Sequence, residues 1–263
     1  MKGYLKPIGR AALGVALLFC IPANAQTGHA QPHGKQPVKP RTTSRQTART
    51  KVSNAPKGKL LHSDDFTGAL DTTRWHAEIE PVAGRHSEVR TQNGRLILNT
   101  AGGVTVWFKP RLEGNIRIEY DWTVLVDSGR NDRLSDLNQF WMATDPLNAN
   151  LFTRSGKFES YDSLSLYYVG FGGNSNTTTR FRKYLGDGAK PLLKEYLDAG
   201  HLLKANHTYH IVIAVIDGRT TFSVDGEVLF DYLDPSPLRS GWFGFRSTAA
   251  RHSIGCLKVW RIE

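Results

Sequence analysis

Two segments between residues 127 and 184 carry the residue types that could perform chemistry. Asn131 to Asp145 and Tyr167 to Tyr184 each place Asp, Asn or Arg among Trp, Phe and Tyr. A plain surface strand would carry Thr or Lys at its solvent-facing positions instead. Dense polar groups beside aromatic rings predict a lined binding cleft.

The polar residues of these segments suit a β-elimination on an acidic sugar. That reaction needs a base for the proton beside a uronate, an acid for the leaving oxygen and groups that neutralise the carboxylate. Tyr168 or Tyr184 could give and take the proton. Arg133, Arg180 or Arg182 could hold the carboxylate through two parallel hydrogen bonds. The predicted catalytic residues are Tyr168, Tyr184 and Arg133, and the predicted substrate-binding residues are Asp132, Asp136, Asn138, Trp141, Asn174, Arg180 and Arg182.

Each of these assignments has a plainer alternative. On a strand, Arg180, Arg182 and Tyr184 point to one face, which could also be an ordinary solvated surface with ion pairs worth ~0.2–1 kcal/mol each. Trp141 could be a platform for a sugar ring. A buried core position is the commoner fate of a strand tryptophan.

The first segment also holds oxygen ligands that could coordinate calcium. These are Asn131, Asp132, Asp136, Asn138 and Asp145. Their spacing matches no recognised calcium loop, and caps or turns are the alternative roles. No cofactor is therefore predicted, and a structural calcium ion stays open.

The elements that must position these residues are strands from Leu60 onward. Asn93-Gly94, Asp217-Gly218 and Asp225-Gly226 lie between alternating runs and predict hairpin turns. The run from Gly114 to Val124 places four apolar residues on one face, namely Ile116, Ile118, Tyr120 and Trp122. Pro191 to Leu203 has rough helical spacing and predicts one helix. Many short strands with frequent turns predict an all-β antiparallel sandwich or jelly roll.

The closing third of the chain resembles a known fold family. The run from Tyr209 through Asp217-Gly218 to Asp225-Gly226, then Gly241-Trp-Phe-Gly-Phe and Leu257-Lys-Val-Trp260, is similar to the concanavalin A-like lectin and glucanase (laminin G-like) jelly roll. Asp65-Phe66, Leu70 and Trp75 resemble its first strand. The likeness covers residues 60–263 and implies one domain there. It also implies that Asp64 or Asp65 could contribute to a structural calcium site.

Two enzyme groups of this fold are matched only in part. The resemblance to glucanases implies a Glu-x-Asp-x-x-Glu strand, but Glu119-Tyr-Asp121 lacks the third acid and Glu159-Ser-Tyr-Asp162 has another spacing. Ser87-Glu-Val-Arg90 and Tyr167-Tyr-Val-Gly170 resemble two alginate lyase segments, although the histidine of those enzymes has no counterpart at 138–141. One arm of the Asn93-Gly94 hairpin is the plainer role for Glu88 and Arg90.

The polar segments resemble those of an uncharacterised group of secreted bacterial domains associated with polysaccharide degradation. The resemblance implies a carbohydrate-active protein, either an enzyme (lyase or hydrolase) on an acidic polysaccharide or oligosaccharide, or a non-catalytic glycan-binding module. The cleft would be lined by Arg, Tyr, Asn and Asp. A monomer is expected.

The amino terminus predicts export. Lys2, Lys6 and Arg10 precede a short apolar run, and Ala23-Asn24-Ala25 fits a cleavage site, so residues 1–25 are a predicted signal peptide and the mature chain is secreted or periplasmic. Residues 26–59 are basic and poor in apolar residues, which predicts a disordered linker. No segment of the mature chain is long and apolar enough to be a predicted membrane span.

The charge distribution argues against nucleic acid as a partner. The whole chain has a net charge of +10, but residues 1–59 contain 11 of its 34 Lys and Arg and no Asp or Glu. Residues 60–263 therefore hold 23 basic and all 24 acidic residues and are close to neutral, which removes the electrostatic basis for phosphate binding. Cys256 is the single cysteine left after cleavage, and its strand position predicts a buried side chain.

Overall fold

The computed structural model describes residues 58–263, and the predicted signal peptide and nearly all of the predicted linker lie outside them. Fifteen strands fill this part of the chain: β1 Gly58–Asp64, β2 Trp75–Ile79, β3 Glu88–Gln92, β4 Arg95–Asn99, β5 Gly103–Glu113, β6 Ile116–Val124, β7 Leu137–Thr144, β8 Ser165–Gly172, β9 Thr178–Leu185, β10 Leu192–Tyr196, β11 Thr208–Ile216, β12 Arg219–Val224, β13 Glu227–Leu233, β14 Ser240–Thr248 and β15 Arg251–Ile262. Three short helical turns complete them, at Phe158–Tyr161, Gly173–Asn176 and Ala199–His201.

The strands form two antiparallel sheets. One sheet has eight strands in the order β13-β12-β11-β6-β15-β4-β3, with β1 also pairing with β15. The other has seven strands in the order β10-β9-β8-β7-β14-β5-β2. The predicted all-β sandwich is confirmed, and the many non-consecutive neighbours within each sheet agree with a jelly roll.

The core lies between the two sheets, as strand alternation requires. Ile116, Ile118, Tyr120 and Trp122 share one face of β6 and are fully buried. They pack in one cluster with Trp75, which is 2% exposed, and with residues of β8, β9 and β14. Burying apolar area at about 25 cal/mol per Å² is the main favourable term in holding the sheets together.

The predicted hairpin turns are confirmed by backbone conformation. Asn93 and Gly94 have φ values of 52° and 70°, and Asp217-Gly218 and Asp225-Gly226 have similar positive pairs. Two successive residues with positive φ make the turn whose twist suits a two-residue hairpin, and Asn-Gly and Asp-Gly adopt it at least cost.

Two expectations about local structure are wrong. Residues 191–203 do not form one helix, because Leu192–Tyr196 pairs with the otherwise free edge of β9 and only Ala199–His201 makes a helical turn. Cys256 is exposed. Its φ of 56° lies where β15 shifts register against β6, and such a bulge turns a side chain away from the regular alternation.

No helix within residues 58–263 has the length and apolar character needed to cross a bilayer.

Candidate functional site

A polar row crosses the outer face of the seven-stranded sheet. Arg180 on β9 is opposite Gly170 on β8, Gly170 is opposite Asn138 on β7, and Asn138 is opposite Arg246 on β14. Their neighbours in sequence, such as Phe181, Val169 and Phe245, point the other way into the core. The alternation of each strand therefore brings four distant positions into one line on one surface.

A cleft of about 200 Å³ lies over this row. Its wall comes from the row itself, from residues just before β7, from the turn after β8 and from the helical turn Phe158–Tyr161. The lining residues are Arg133, Ser135, Asp136, Asn138, Phe158, Tyr168, Gly170, Gly173, Asn174, Thr178, Arg180 and Arg246.

Arg246 presents a buried cation without a hydrogen-bond partner to this cleft. Arg246 is 4% exposed, and its side chain makes no hydrogen bond with any described residue. Its Nε atom is fully buried and has no hydrogen-bond acceptor among them. The guanidinium carbon lies 4.3 Å from the centre of the Phe158 ring. Burial lowers the pKa of Arg246, but a guanidinium stays protonated in proteins. Unpaired buried charges are costly, and an anion bound in the cleft would offset part of that cost.

Asp136 is the one carboxylate among the residues that line the cleft. Its oxygens accept hydrogen bonds from the Ser135 hydroxyl, at 3.1 Å, and from the Asn138 amide. Burial raises the pKa of Asp136 above its ordinary value, although these donors and the positive charge of Arg246 act in the opposite direction. A raised pKa makes this carboxylate a stronger base than an exposed aspartate.

Tyr168 brings a phenol to the same place. Its hydroxyl has no hydrogen-bond partner among the described residues, while its ring packs on Phe140 and Tyr184 with centroids 5.9 and 5.7 Å apart. Burial raises the pKa of Tyr168 well above that of an exposed phenol, and the nearby charge of Asp136 adds to this effect. Tyr168 is thus a neutral donor at physiological pH.

Gly170 leaves room between these two groups. A Cβ at this position would clash with the Tyr168 hydroxyl and would lie 3.1 Å from Oδ2 of Asp136. The phenol and the carboxylate therefore both border a space that only glycine leaves open. A reacting atom in this space could reach both.

A left-handed turn forms the rim of the cleft. Asn174, Ser175 and Asn176 have φ values of 53°, 56° and 62°. The Asn176 side chain holds the turn through bonds to the backbone N–H and carbonyl of Leu203, at 2.7 and 3.0 Å. Three consecutive non-glycine residues in this region are energetically costly, and such backbone is concentrated at functional sites.

The model of a family described as a domain of unknown function (DUF6250) matches residues 98–257, which is more than half of the chain. The chain belongs to the DUF6250 family. The matched range contains every residue that lines the cleft. No curated protein matches the sequence.

Solved structures share the fold of this DUF6250 domain at low sequence identity. A protein of unknown function with a galectin-like fold from Bacillus subtilis superposes with a TM-score of 0.64 at 16% identity, over 78% of this chain and 97% of that one. A non-specific endo-β-1,3(4)-glucanase from family GH16 gives 0.57 at 11%, over 82% and 95%. An endo-β-1,3-glucanase from Pyrococcus furiosus gives 0.57 at 10%, over 80% and 97%. The predicted concanavalin A-like fold is confirmed, and at these identities the likeness concerns the fold alone.

Six of the ten predicted site residues line the cleft of the DUF6250 domain. They are Tyr168, Arg133, Asp136, Asn138, Asn174 and Arg180. Two of them are already engaged. Arg133 donates to the backbone carbonyls of Thr248 and Ala249 and to the Ser175 hydroxyl, and Arg180 forms an ion pair with Glu195. Arg133 thus holds the rim in place, and Arg246 is the cation left free for a ligand.

The other four lie elsewhere. Trp141 is fully buried between the sheets and donates to the Thr220 hydroxyl at 3.0 Å, so it cannot contact a ligand. Tyr184 is 1% exposed and packs behind Tyr168, away from the cleft surface. Asp132 accepts two hydrogen bonds from Arg251, at 2.8 and 3.0 Å, and closes a loop.

Arg182 shares the face of Arg180 on β9, as predicted, but it lies outside the cleft lining. Its guanidinium donates to the carbonyl of Lys190 at 2.7 Å. The assignment of Asp132, Trp141, Tyr184 and Arg182 to the site is therefore corrected.

The partial enzyme motifs do not meet at the cleft either. Glu88 and Arg90 pair with each other at 3.1 Å on β3, at the edge of the eight-stranded sheet. Glu119 belongs to β6 of that sheet and is paired with Arg117 at 3.0 Å. Neither segment can act with Tyr168, because Tyr168 lies on the outer face of the other sheet.

The calcium alternative gains no support from the described residues. Residues 58–263 contain no group of three or more His, Cys, Asp or Glu side chains arranged to hold a metal ion. Asp145 forms a 2.7 Å ion pair with Arg154, and Asn131 donates to Asn99 at 2.9 Å, so both have structural partners.

Arg246 and Phe158 were missed at the level of the sequence. Arg246 ends the Gly241-Trp-Phe-Gly-Phe-Arg run, which served only as a marker of the fold. A period-2 pattern in that run places Trp242, Gly244 and Arg246 on the face opposite Phe243 and Phe245. The sequence signal that could have identified the site was Arg246 two residues after Gly244 on the same face of a strand. Phe158 opens the short helical turn Phe158–Tyr161, and the sequence around it carried no signal.

Proposed function

We propose that this DUF6250 domain is a carbohydrate-active enzyme whose cleft binds an acidic sugar residue and catalyses β-elimination on it. The observation that carries the proposal is the guanidinium of Arg246, which is buried at the cleft without a hydrogen-bond partner among the described residues. The comparison with solved structures gives coarser support, because two structures with this fold are glucanases. Fold likeness alone does not assign an activity.

The charges of the cleft favour an anionic ligand. Arg133, Arg180 and Arg246 line it, against Asp136 as the one carboxylate. A uronate carboxylate can accept two parallel hydrogen bonds from a guanidinium, and this geometry is better for arginine than for lysine. Binding would supply the hydrogen bonds that Arg246 lacks.

The neighbouring groups supply the proton transfers of an elimination. Asp136 takes the proton from the carbon beside the uronate carboxylate. The electron pair of that C–H bond forms the new carbon–carbon double bond, and the bond from the next carbon to the glycosidic oxygen breaks. Tyr168 gives its phenolic proton to this leaving oxygen. Arg246 stabilises the negative charge that develops on the carboxylate group in the transition state, and exchange with solvent then restores Asp136 and Tyr168.

The pKa directions agree with these roles. Burial raises the pKa of Asp136, which makes it a better base, and burial keeps Tyr168 protonated and able to donate. A glycoside hydrolase, the alternative enzyme class, would use two carboxylates about 5–9.5 Å from each other. Among the residues that line the cleft, Asp136 is the only one with a carboxylate, so elimination is favoured over hydrolysis.

A glycan-binding module is the second candidate. It is favoured by the amides of Asn138 and Asn174 and by the partly buried ring of Phe158, which line the same cleft and could bind sugar without reaction. Both functions require Arg246, but only the enzyme requires Tyr168 as a proton donor.

A polysaccharide panel separates the two functions. The full-length protein is incubated with polygalacturonate, alginate and hyaluronan and with the neutral glucan laminarin. Ultraviolet absorbance of an unsaturated uronate product and new reducing ends are followed together. We expect both signals from an acidic polysaccharide and loss of both in Tyr168→Phe. Binding without either signal would support the module, and reducing ends without absorbance would contradict elimination.

Export of the protein is part of the same proposal. The leader lies outside the described residues, so it is tested directly by amino-terminal sequencing of the protein produced in cells. A mature chain beginning at Gln26 is expected, and a retained Met1 would contradict export.

A further inference from the structure

A chain of hydrogen bonds crosses the sandwich behind the cleft. It begins at Trp122 on β6 and His252 on β15, in the eight-stranded sheet. It ends at Ser247 on β14 and at Asp136, just before β7, in the other sheet. Trp122 Nε1 lies 3.1 Å from His252 Nδ1, His252 Nε2 lies 2.7 Å from Ser247 Oγ, and Ser247 Oγ lies 3.3 Å from the backbone oxygen of Asp136.

The chemistry of the first donor fixes the direction of the whole chain. An indole N–H can only donate, so His252 Nδ1 accepts and the imidazole hydrogen resides on Nε2. That hydrogen is donated to Ser247 Oγ. The Ser247 hydroxyl is then left to donate to the carbonyl of Asp136. Trp122 and His252 are fully buried and Ser247 is 1% exposed, so water does not compete for these bonds.

The end of the chain is placed where the cleft groups are held. Ser247 follows Arg246 on β14, and successive strand residues point to opposite faces. Ser247 therefore faces inward while Arg246 faces the cleft. The same hydroxyl holds the carbonyl of Asp136, whose carboxylate also lines the cleft. One buried serine thus ties the backbone of both charged groups.

We propose that His252, acting through Ser247, is a positioning residue that fixes the carboxylate of Asp136 relative to the guanidinium of Arg246. The geometric part of this inference is independent of any ligand, while its effect on ligand binding rests on the proposed function. A preorganised pair matters because a displacement of about 1 Å at a reacting group can cost about 100-fold in rate.

The state of His252 suits a permanent support. Burial lowers its pKa to about 3, and the charge of Arg133 contributes in the same direction. The imidazole therefore stays neutral and keeps one donor and one acceptor over the physiological range. Its hydrogen bonds do not change as the cleft groups gain or lose protons.

Ser247→Ala removes the link with the loss of one buried atom, so it is the variant to test. Ser223→Ala is the matched control, because Ser223 is also 1% exposed on a strand but its hydroxyl has no hydrogen-bond partner among the described residues. The first measurement is the pKa of the Asp136 carboxyl group, determined by carbon-13 NMR on the full-length protein. The second is the affinity for a galacturonate oligosaccharide.

In Ser247→Ala we expect the pKa of Asp136 to fall toward its ordinary value, since the loosened backbone admits water to the carboxylate. We expect the affinity to fall about five- to tenfold, the size of one lost hydrogen bond. Ser223→Ala should change neither quantity. If Ser247→Ala and Ser223→Ala give the same pKa of Asp136 and the same affinity for the oligosaccharide, the proposal is overturned.

A second readout does not depend on substitution. Nitrogen-15 NMR of the wild-type protein should show the His252 hydrogen on Nε2, and a hydrogen on Nδ1 would contradict the chain of donors. If the wild-type protein binds no acidic oligosaccharide, the proposed function fails. The pKa of Asp136 in Ser247→Ala still decides whether the link through Ser247 positions that residue.

Discussion

Arg246 on β14 and Asp136, the residue before the neighbouring strand β7, face one cleft, yet they do not form an ion pair within 4 Å. Buried charges in proteins are normally paired. Here the carboxylate is held by Ser135 and Asn138, while the guanidinium rests against the Phe158 ring. The two charges are kept apart, and the space beside them is open to a ligand.

Arg246→Met should separate function from stability. The unbranched side chain fills similar volume against Phe158 and removes an unsatisfied buried charge, so the free energy of unfolding should rise by about 1 kcal/mol. Affinity for an acidic oligosaccharide should fall at least tenfold. Thermal unfolding and calorimetric titration measure the two effects. Arg219→Met, which removes an exposed ion pair with Asp231, is the control and should leave affinity unchanged.

Asp136→Asn should likewise stabilise the fold while it abolishes turnover. The raised pKa of Asp136 means that its charged form is less favourable in the folded than in the unfolded chain. A neutral amide avoids this cost at neutral pH, so the free energy of unfolding should rise by about 1 kcal/mol. A change of this size is ordinary for one substitution. Denaturant titration at neutral pH tests this point. A less stable variant would mean that the carboxylate is chiefly structural.

Gly170→Ala should close the space between the proton-transfer groups. The added methyl group would clash with the Tyr168 hydroxyl and approach the Asp136 carboxylate. Strain of this kind costs about 1–3 kcal/mol of stability, and turnover should fall by about 100-fold. Gly188→Ala is not a suitable control because Gly188 has a positive φ. Gly68→Ala meets nothing within 4 Å, has no such backbone constraint and should retain full activity.

His252 should make the fold less stable as the pH falls. Its pKa is about 3 in the folded protein and 6.5 as the ordinary value, so between these limits the unfolded chain binds a proton that the folded chain does not. Stability contributed by neutral His252 is complete above about pH 6.5 and declines on acidification, by up to about 1.4 kcal/mol per pH unit. Denaturant titrations at several pH values measure the slope.

His252→Gln should reduce the slope of the unfolding free energy against pH by the amount that corresponds to about one bound proton, since the titrating group is gone. His86→Gln, at an exposed position, serves as the control and should leave the slope as in the wild type. An unchanged slope in His252→Gln would show that His252 is protonated in the folded protein.

The architecture could be predicted because it depends on local signals. Asn93-Gly94 and the two Asp-Gly pairs demand turns, and the alternation at Ile116 to Trp122 demands a strand with one buried face. Residues 191–203 were misassigned because pairing with the edge of β9 outweighs weak helical spacing. No local pattern reveals that a strand edge is free.

The site could be predicted only in part, for a physical reason. Alternation along β9 correctly grouped Arg180, Arg182 and Tyr184, but it does not say what covers their face. The loop before β8 contributes Tyr161 and Leu164 to a second apolar cluster that buries Tyr184. Asp136, Gly170 and Arg246 meet through strand pairing over more than a hundred residues of sequence.

The most direct test of the central claim is a comparison of two ligands that differ in one group. Binding of an oligogalacturonate to the wild-type protein is measured by calorimetry beside its carboxyl-reduced form, in which each uronate is a neutral sugar. We predict binding of the acidic ligand, loss of binding for the reduced ligand, and loss of this discrimination in Arg246→Met. Equal affinity of the wild-type protein for both ligands would contradict the assignment of the cleft to an acidic sugar.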